Sequence, residues 1–414
     1  MQKTFKSLFS LFLSCFILLF AGCVSLGAAS ILLCSLHSDA ALWGAMRVVM
    51  GFCIACAFTA MESWLSDSSS KETRGQVLAI YNAVVLAGLF GGQFLINVAS
   101  AKDNMLFVIA GILMCIAVIP VVMSRHAGPI LEEFSSMSLR LLYKRSPLGV
   151  VSCLISGMLY SAIFNLLPVF ARGVDITGFQ LSLYMGAAIF GAFMLQFPVG
   201  YLSDRFDRRT VLLVMLIISA SAGIGVTILA SLGIIWAVFL ATAITCGIIA
   251  CTYPLSISEA LDRLRQSEMV SAMSSMILAF AVGGILGPYS ASLMMDKFGG
   301  SALFYFLAFI QLSLACFVIY RMTVRSSLPI DEQEQFVMQG SVITSAVELD
   351  PRTEYHEPQH LPRAVVKTSL MVAEADPELA IDLCVALAKI KLGRGLAVAK
   401  ALVILPNINA VNLY

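Results

Sequence analysis

Ten stretches of mostly apolar residues, each long enough to cross a lipid bilayer, fill most of the chain up to residue 322. A membrane-spanning helix needs about 20 such residues in a row. Of the 414 residues, 59% are hydrophobic and only 12% are charged, whereas about 25% are charged in soluble domains. The sequence therefore predicts an all-α, polytopic helical membrane protein. The predicted spans are 8–35, 41–65, 76–99, 105–123, 148–171, 178–202, 210–231, 233–257, 269–294 and 302–322.

Lysine and arginine are unevenly distributed over the loops between these spans. If the N-terminus is cytoplasmic, fifteen of them fall in cytoplasmic segments and only three, Lys102, Arg172 and Lys297, in outer loops. Cytoplasmic loops of membrane proteins carry such an excess. This pattern predicts a multi-pass protein of the bacterial cytoplasmic (inner) membrane, with both termini in the cytoplasm.

The longest internal loop is polar and basic, and it separates four spans from six. It predicts an N-terminal helical bundle at 1–124, a cytoplasmic linker at 125–147 and a C-terminal bundle at 148–325. The remainder, 326–414, contains 11 of the 25 acidic residues. We expect it to be a cytoplasmic tail, disordered over about 326–375, with a helix from about 376 to 392.

An internal repeat relates the two parts of the chain. Glu62 ends one span and is followed 26 residues later by Gly88 in a glycine-rich span, while Glu259 is followed 25 residues later by Gly284 in a similar one. The two copies are about 196 residues apart. Homologous halves of this kind are typical of transporters, although chance similarity of glycine-rich helices is the alternative.

A charged loop follows the sixth span and carries the most specific motif of the chain. This segment, 200–209, resembles the signature loop of the major facilitator superfamily, G-x-x-x-D-R-x-G-R-R. Asp207 replaces the glycine that is usual there, which favours a helix cap instead of a tight turn. We expect the arginines to anchor the loop to cytoplasm and lipid headgroups, and the loop to act as a gate. The matching residues are Gly200, Asp204, Arg205, Arg208 and Arg209.

The second span supports the same resemblance, because Arg47 and Gly51 match an R-x-x-x-G stretch of that family. The chain looks most like a group of uncharacterised bacterial inner-membrane members. The resemblance implies two bundles of six helices, so this chain, with four plus six, is expected to lack the family's first two helices. Three explanations for the missing helices are open: a misplaced start or a truncation, an inactive remnant, and a working ten-span form.

Ionisable side chains inside predicted spans are candidates for a transport pathway, because they are costly in lipid. Arg47 lies six residues into its span, about 9 Å deep. A role in transport is one interpretation of this position, and snorkelling of the side chain to the interface is the alternative. Glu62 and Glu259 are expected to serve as gate ion pairs or proton carriers, or else to reach cytoplasmic water. The resemblance implies that the spans at 41–65, 148–171 and 233–257 face a central cavity, which favours Arg47, Tyr160, Asn165 and Tyr253 as pathway residues. The polar candidates, each also explicable as an interhelical hydrogen bond, are Asn82, Tyr160, Asn165 and Tyr253.

These observations favour a secondary active transporter that moves a small-molecule substrate by alternating access, with protons as an optional coupling ion and membrane lipid as its surroundings. A non-transporting sensor or an inactive truncated remnant is the alternative. We expect no enzymatic activity, no cofactor, no metal and no nucleic-acid partner, since the net charge is +1 and the four histidines are scattered. Prolines inside spans predict helix breaks at Pro168, Pro198, Pro254 and Pro288.

Overall fold

The apolar segments form helices because a backbone in lipid must satisfy its hydrogen bonds within its own segment. The computed structural model describes residues 2–37, 39–69, 73–99, 104–123, 137–264, 266–324 and 336. Four helices precede residue 124: α1 (Gln2–Leu36), α2 (Ala40–Ser68), α3 (Arg74–Leu95) and α4 (Met105–Met123). The others are α5 (Leu139–Arg145), α6 (Pro147–Gly173), α7 (Phe179–Met194), α8 (Gln196–Arg205), α9 (Arg208–Ser231), α10 (Ile235–Leu261), α11 (Gln266–Phe298) and α12 (Ala302–Val324).

Ten spans within these ranges are long and apolar enough to cross a membrane, and they coincide with the ten predicted from the sequence. The sixth span consists of two helices, because the helix is interrupted at Leu195 between α7 and α8. Pro198 has no N–H to continue the helical hydrogen bonds across that break. The predicted breaks at the other three prolines are wrong, since α6, α10 and α11 continue through Pro168, Pro254 and Pro288.

The first four helices are loosely associated. α1 packs against both α2 and α4, whereas α3 packs mainly on α7 of the second bundle. Only 6% of the apolar window of α2, and 6% of that of α4, is buried, against 44–56% for the spans after residue 147. Most side chains of α2 and α4 are therefore not buried by the described part of the chain.

The six later spans form a dense bundle whose helices approach through glycine. A Cβ atom on Gly157 of α6 would lie 2.0 Å from the carbonyl oxygen of Phe280 on α11, and one on Gly283 would lie 1.9 Å from that of Leu154. Small residues allow this close approach in membranes, where packing instead of water exclusion drives association. α6 and α11 are consequently in backbone contact.

The second half of the linker belongs to this dense bundle. Residues 137–138 and α5, which the sequence did not predict, pack on α6 and α11, and Leu142 is fully buried there. Arg145 pairs with Glu268 at the start of α11. Some predicted segments lie outside the described residues. They are 125–136 and the tail beyond 325 apart from Phe336, including the predicted helix at 376–392.

Candidate functional site

The signature loop joins α8 to α9 by a short turn. α8 ends at Arg205, and Asp207 is the N-cap of α9, where its side chain accepts a hydrogen bond from the backbone N–H of Arg209 at 3.4 Å. A carboxylate is favoured at this position because it satisfies a free N–H of the first turn and interacts with the helix dipole. The predicted cap at Asp207 is confirmed.

Two arginines of the loop point into the protein. Arg208 is 2% exposed and donates to Asp262 at 2.9 Å, and the side chain of Arg209 lies 3.7 Å from Glu259. The expectation that these two arginines bind lipid headgroups is therefore wrong. Buried guanidinium groups need counterions, and the end of α10 supplies them. Arg205 differs, since it lies over the exposed ring of Tyr201, 4.1 Å from the centroid.

Glu259 is the centre of this network, and we call Glu259 together with Ser146, Arg209 and Arg263 the ion network. Its carboxylate accepts from the hydroxyl of Ser146 at 3.0 Å and from Nε of Arg263 at 2.9 Å. Ser146 is the N-cap of α6, Arg209 lies in the first turn of α9 and Glu259 lies in the last turn of α10. The carboxylate thus joins three helix ends, and its 5% exposure contradicts the alternative that it reaches cytoplasmic water.

Phe336 contacts the signature loop from beyond the last span. Its backbone N–H donates to the Asp204 carboxylate at 2.7 Å. Its ring lies on Gly200, where a Cβ atom would be only 2.7 Å from the ring. The partner of Asp204 is thus a backbone N–H from beyond the last span, and Gly200 provides space for an aromatic ring. No signal in the sequence connects residue 336 with a loop more than a hundred residues away.

The repeat-related Glu62 has a different environment. It is 1% exposed and accepts a hydrogen bond at 3.1 Å from the hydroxyl of Tyr81 on α3. Asn82, the neighbour of Tyr81, is also buried. The structure thus joins Glu62 of α2 to Tyr81 of α3, and here too burial argues against a carboxylate that reaches water.

Tyr160 and Tyr253 meet at an aromatic cluster that we define as Tyr160, Phe164, Tyr253 and Phe280. The ring of Phe280 lies 4.6 Å from that of Tyr253 and 6.2 Å from that of Tyr160, and Phe164 lies 4.5 Å from Tyr160. Sequence reasoning missed the two phenylalanines, because an apolar residue in a membrane helix carries no functional signal of its own. Asn165 is exposed and donates to Ser161 of its own helix at 2.8 Å.

Arg47 lies apart from these groups. It lines a cavity of about 450 Å³ whose walls come from α1, α2 and α4, including Ser30, Trp43, Phe107 and Ala110. Within the described ranges, no carboxylate lies at ion-pairing distance from Arg47. These ranges also contain no cluster of three or more histidine, cysteine or acidic residues suited to a metal ion.

Comparison with known proteins places this geometry in a family. The model of the Major Facilitator Superfamily matches residues 10–261 and 150–372. "Uncharacterized MFS-type transporter YcaD" of Shigella flexneri serotype 5b (strain 8401) is 28% identical over 304 residues, 72% of this chain and 75% of that protein. The same-named protein of Escherichia coli O139:H28 (strain E24377A / ETEC) is 27% identical over 293 residues, 70% of this chain and 72% of that protein.

Among solved structures, the fold resembles that of a bacterial homologue of the human lysosomal transporter Spinster in an inward-facing and unoccupied conformation. The TM-score is 0.54 at 16% identity, covering 81% of this chain and 82% of that one. The occupied form of the same homologue gives a TM-score of 0.52 at 18% identity, with the same coverage. At such identities the likeness concerns the fold alone.

Proposed function

The chain belongs to the Major Facilitator Superfamily, and from that premise we propose that it is a secondary active transporter that moves a small solute across the bacterial inner membrane by alternating access. In this mechanism two helix bundles rock about a site near the middle of the membrane. The observation that carries the proposal is the ion network, because it ties the signature loop to the end of α10 through buried charges.

The ion network acts in this proposal as a latch on one conformation. Buried ion pairs contribute little net stability, since desolvation offsets their attraction, but removing one partner is costly. A conformational change that admits water to the end of α10 would hydrate Glu259 and Arg209, and it would weaken their mutual attraction. A network with these properties favours two discrete arrangements of the helices over a series of intermediate ones.

The aromatic cluster is the proposed solute contact of the second bundle. Tyr160 is half-buried, and an amphipathic side chain of this kind can contact a small solute through its hydroxyl group without adding charge. Tyr253 is fully buried, so its proposed role is to position the neighbouring ring of Phe280. Asn165 supplies an exposed amide five residues beyond Tyr160 on the same helix. The proposed candidates for proton coupling are Arg47, Glu62 and Glu259, and Asn82 is a proposed polar residue of the pathway.

Uptake into proteoliposomes tests the proposal. The full chain is reconstituted, and a panel of sugars, amino acids, organic acids and lipophilic cations is offered with and without an imposed pH gradient. We expect flux of at least one solute above that of protein-free vesicles, and loss of that flux in Tyr253→Ala. Absence of flux for every solute from a correctly folded chain would contradict the proposal.

A sensor is the second candidate, and one observation favours it. Phe336 places a residue of the tail region directly on Asp204 and Gly200, which is where a tail would have to bind if it read the state of the helices. Deleting 326–414 separates the two candidates. A transporter should keep its flux after the deletion, whereas a sensor should lose its output and show no flux before it.

A further inference from the structure

Phe336 packs at the signature-loop end of the six-span bundle, although it comes from beyond the end of α12. Its ring is half-buried and lies against a hydrophobic cluster that α6, α9, α10 and α12 form together. The buried members of that cluster include Leu216 of α9, Leu255 of α10 and Val318 of α12. The residue is therefore tied to the helices on one side by apolar packing.

On its other side, Phe336 binds one face of α8. Gly200 and Asp204 are four residues apart, so both lie on the same face of that helix. The ring covers Gly200, where a Cβ atom would be 2.7 Å from it, and the backbone N–H of Phe336 donates to the Asp204 carboxylate at 2.7 Å. A single residue thus supplies both the ring and the N–H that this face accepts, and the fit requires glycine at position 200.

The helix that Phe336 binds is short and bounded at both ends. α8 has ten residues; the helix is interrupted before it at Leu195, and only Phe206 and Asp207 separate it from α9. Because Phe336 contacts α8 on one side and the cluster of α9 and α12 on the other, a movement of α8 relative to those helices must break the contact.

We propose that Phe336 is a releasable lock on the signature loop, through which the tail region regulates transport. While docked, it holds α8 against α9 and α12 in the described arrangement, and its release lets the loop move. The contact is reversible because the ring is only half-buried and Asp204 is exposed, so water can replace both interactions. The effect on solute flux rests on the proposed transport function, whereas the effect on the position of the loop does not.

The size of the effect follows from the contacts. A hydrogen bond to a charged group favours the bonded state by about tenfold or more, so we expect the docked form to exceed the released form by about tenfold. Complete release should then raise solute flux by up to about tenfold, because the active population grows by that factor. Phe336→Ala keeps the N–H and should release part of the population, whereas Phe336→Pro lacks both the ring and the N–H and should release all of it.

A distance between two spin labels tests the lock without any solute. Phe206→Cys in the loop and Leu312→Cys on α12, both exposed, are combined in the full chain after replacement of its 11 native cysteines, and the labelled protein is measured by double electron–electron resonance in lipid vesicles. We expect one narrow distance population in this background and a second population with Phe336→Pro.

Two further variants separate the lock from a general loosening of the protein. Gly200→Ala displaces the ring from the side of α8 and should produce the same second population as Phe336→Pro. Phe190→Ala removes a phenylalanine ring that is exposed on α7, and it should leave the single population unchanged.

Uptake into proteoliposomes then connects the lock with transport. The initial rate should rise in the order parent, Phe336→Ala, Phe336→Pro, and Phe190→Ala should match the parent. One unchanged distance population in every folded variant would overturn the lock. A second population with no change in the flux of a transporting chain would overturn the regulation. A parent without flux would contradict the proposed function instead, and the distances alone would then decide whether the lock exists.

Discussion

At the scale of single residues, the two buried arginines of the signature loop, Arg208 and Arg209, act through partners more than 40 residues away in sequence. Glu259 is surrounded by two guanidinium groups and one hydroxyl, with almost no access to solvent. In contrast, the pair of Arg145 and Glu268 has partly exposed side chains, at 38% and 26%. Buried and exposed ion pairs differ strongly in what the loss of one partner costs.

Glu259→Gln should therefore destabilise the protein much more than Glu268→Gln. The first change removes the carboxylate that Arg209 and Arg263 contact, and we expect a loss of about 3 kcal/mol in the free energy of unfolding. The second should cost less than about 1 kcal/mol, because water screens that pair. Unfolding of both variants by SDS titration in mixed micelles provides the comparison, and equal losses would refute the ion network.

The contact between Phe336 and Gly200 can be examined with a double-mutant cycle. Gly200→Ala should displace the ring, because the new Cβ would lie 2.7 Å from it, and Phe336→Ala removes the ring. Once the ring is absent, the extra methyl group at position 200 should cost almost nothing. We expect a coupling energy of about 1 kcal/mol from the same SDS titrations, whereas strictly additive losses would show that the contact does not form.

At the scale of helices, backbone contact between α6 and α11 positions the aromatic cluster. Phe280 lies between Tyr160 and Tyr253, and the backbone carbonyl of Phe280 is the group that Gly157 approaches. The closeness of the two helices and the position of the ring therefore have the same origin. A third contact, between Gly287 and the carbonyl of Met158, extends the glycine seam by another turn.

Gly283→Ala should open this seam. Its Cβ would be 1.9 Å from the Leu154 carbonyl oxygen, so the helices must separate, and we expect a loss of about 2 kcal/mol or more in the free energy of unfolding. Gly225→Ala in α9 is the matched control, because nothing lies within 4 Å of that position and alanine favours helix over glycine. If both variants unfold alike, the close crossing is not part of the native bundle.

The spans were predictable from sequence because a run of about 20 apolar residues in lipid can only be a helix. The cap at Asp207 was predictable because it depends on the next two residues alone. The inward direction of Arg208 was not, since its partner Asp262 is 54 residues away and basic loops usually face water. Phe280 and Phe336 were missed for the same reason, because their roles depend on tertiary contacts that leave no local pattern.

At the scale of the whole molecule, the first four helices contact the second bundle through α3. Phe90 packs against Gly186, Phe94 lies 6.0 Å from Phe179, and Asn97 donates to Ser182 at 2.7 Å. These contacts join the end of α3 to the beginning of α7, at the opposite end of the spans from the signature loop. In the proposed alternating-access mechanism, these contacts would have to separate in the opposite conformation.

A reversible cross-link between the bundles tests this account most directly. Asn97→Cys and Ser182→Cys are combined in a chain whose 11 native cysteines have been replaced by serine or alanine, and a short bifunctional thiosulfonate links the two thiols. Solute flux into proteoliposomes is measured before linking, after linking and after reduction, with each single-cysteine variant treated identically. We predict that flux stops on linking and returns on reduction, while the single-cysteine controls keep their flux. Flux that continues unchanged through a complete cross-link would contradict transport by alternating access.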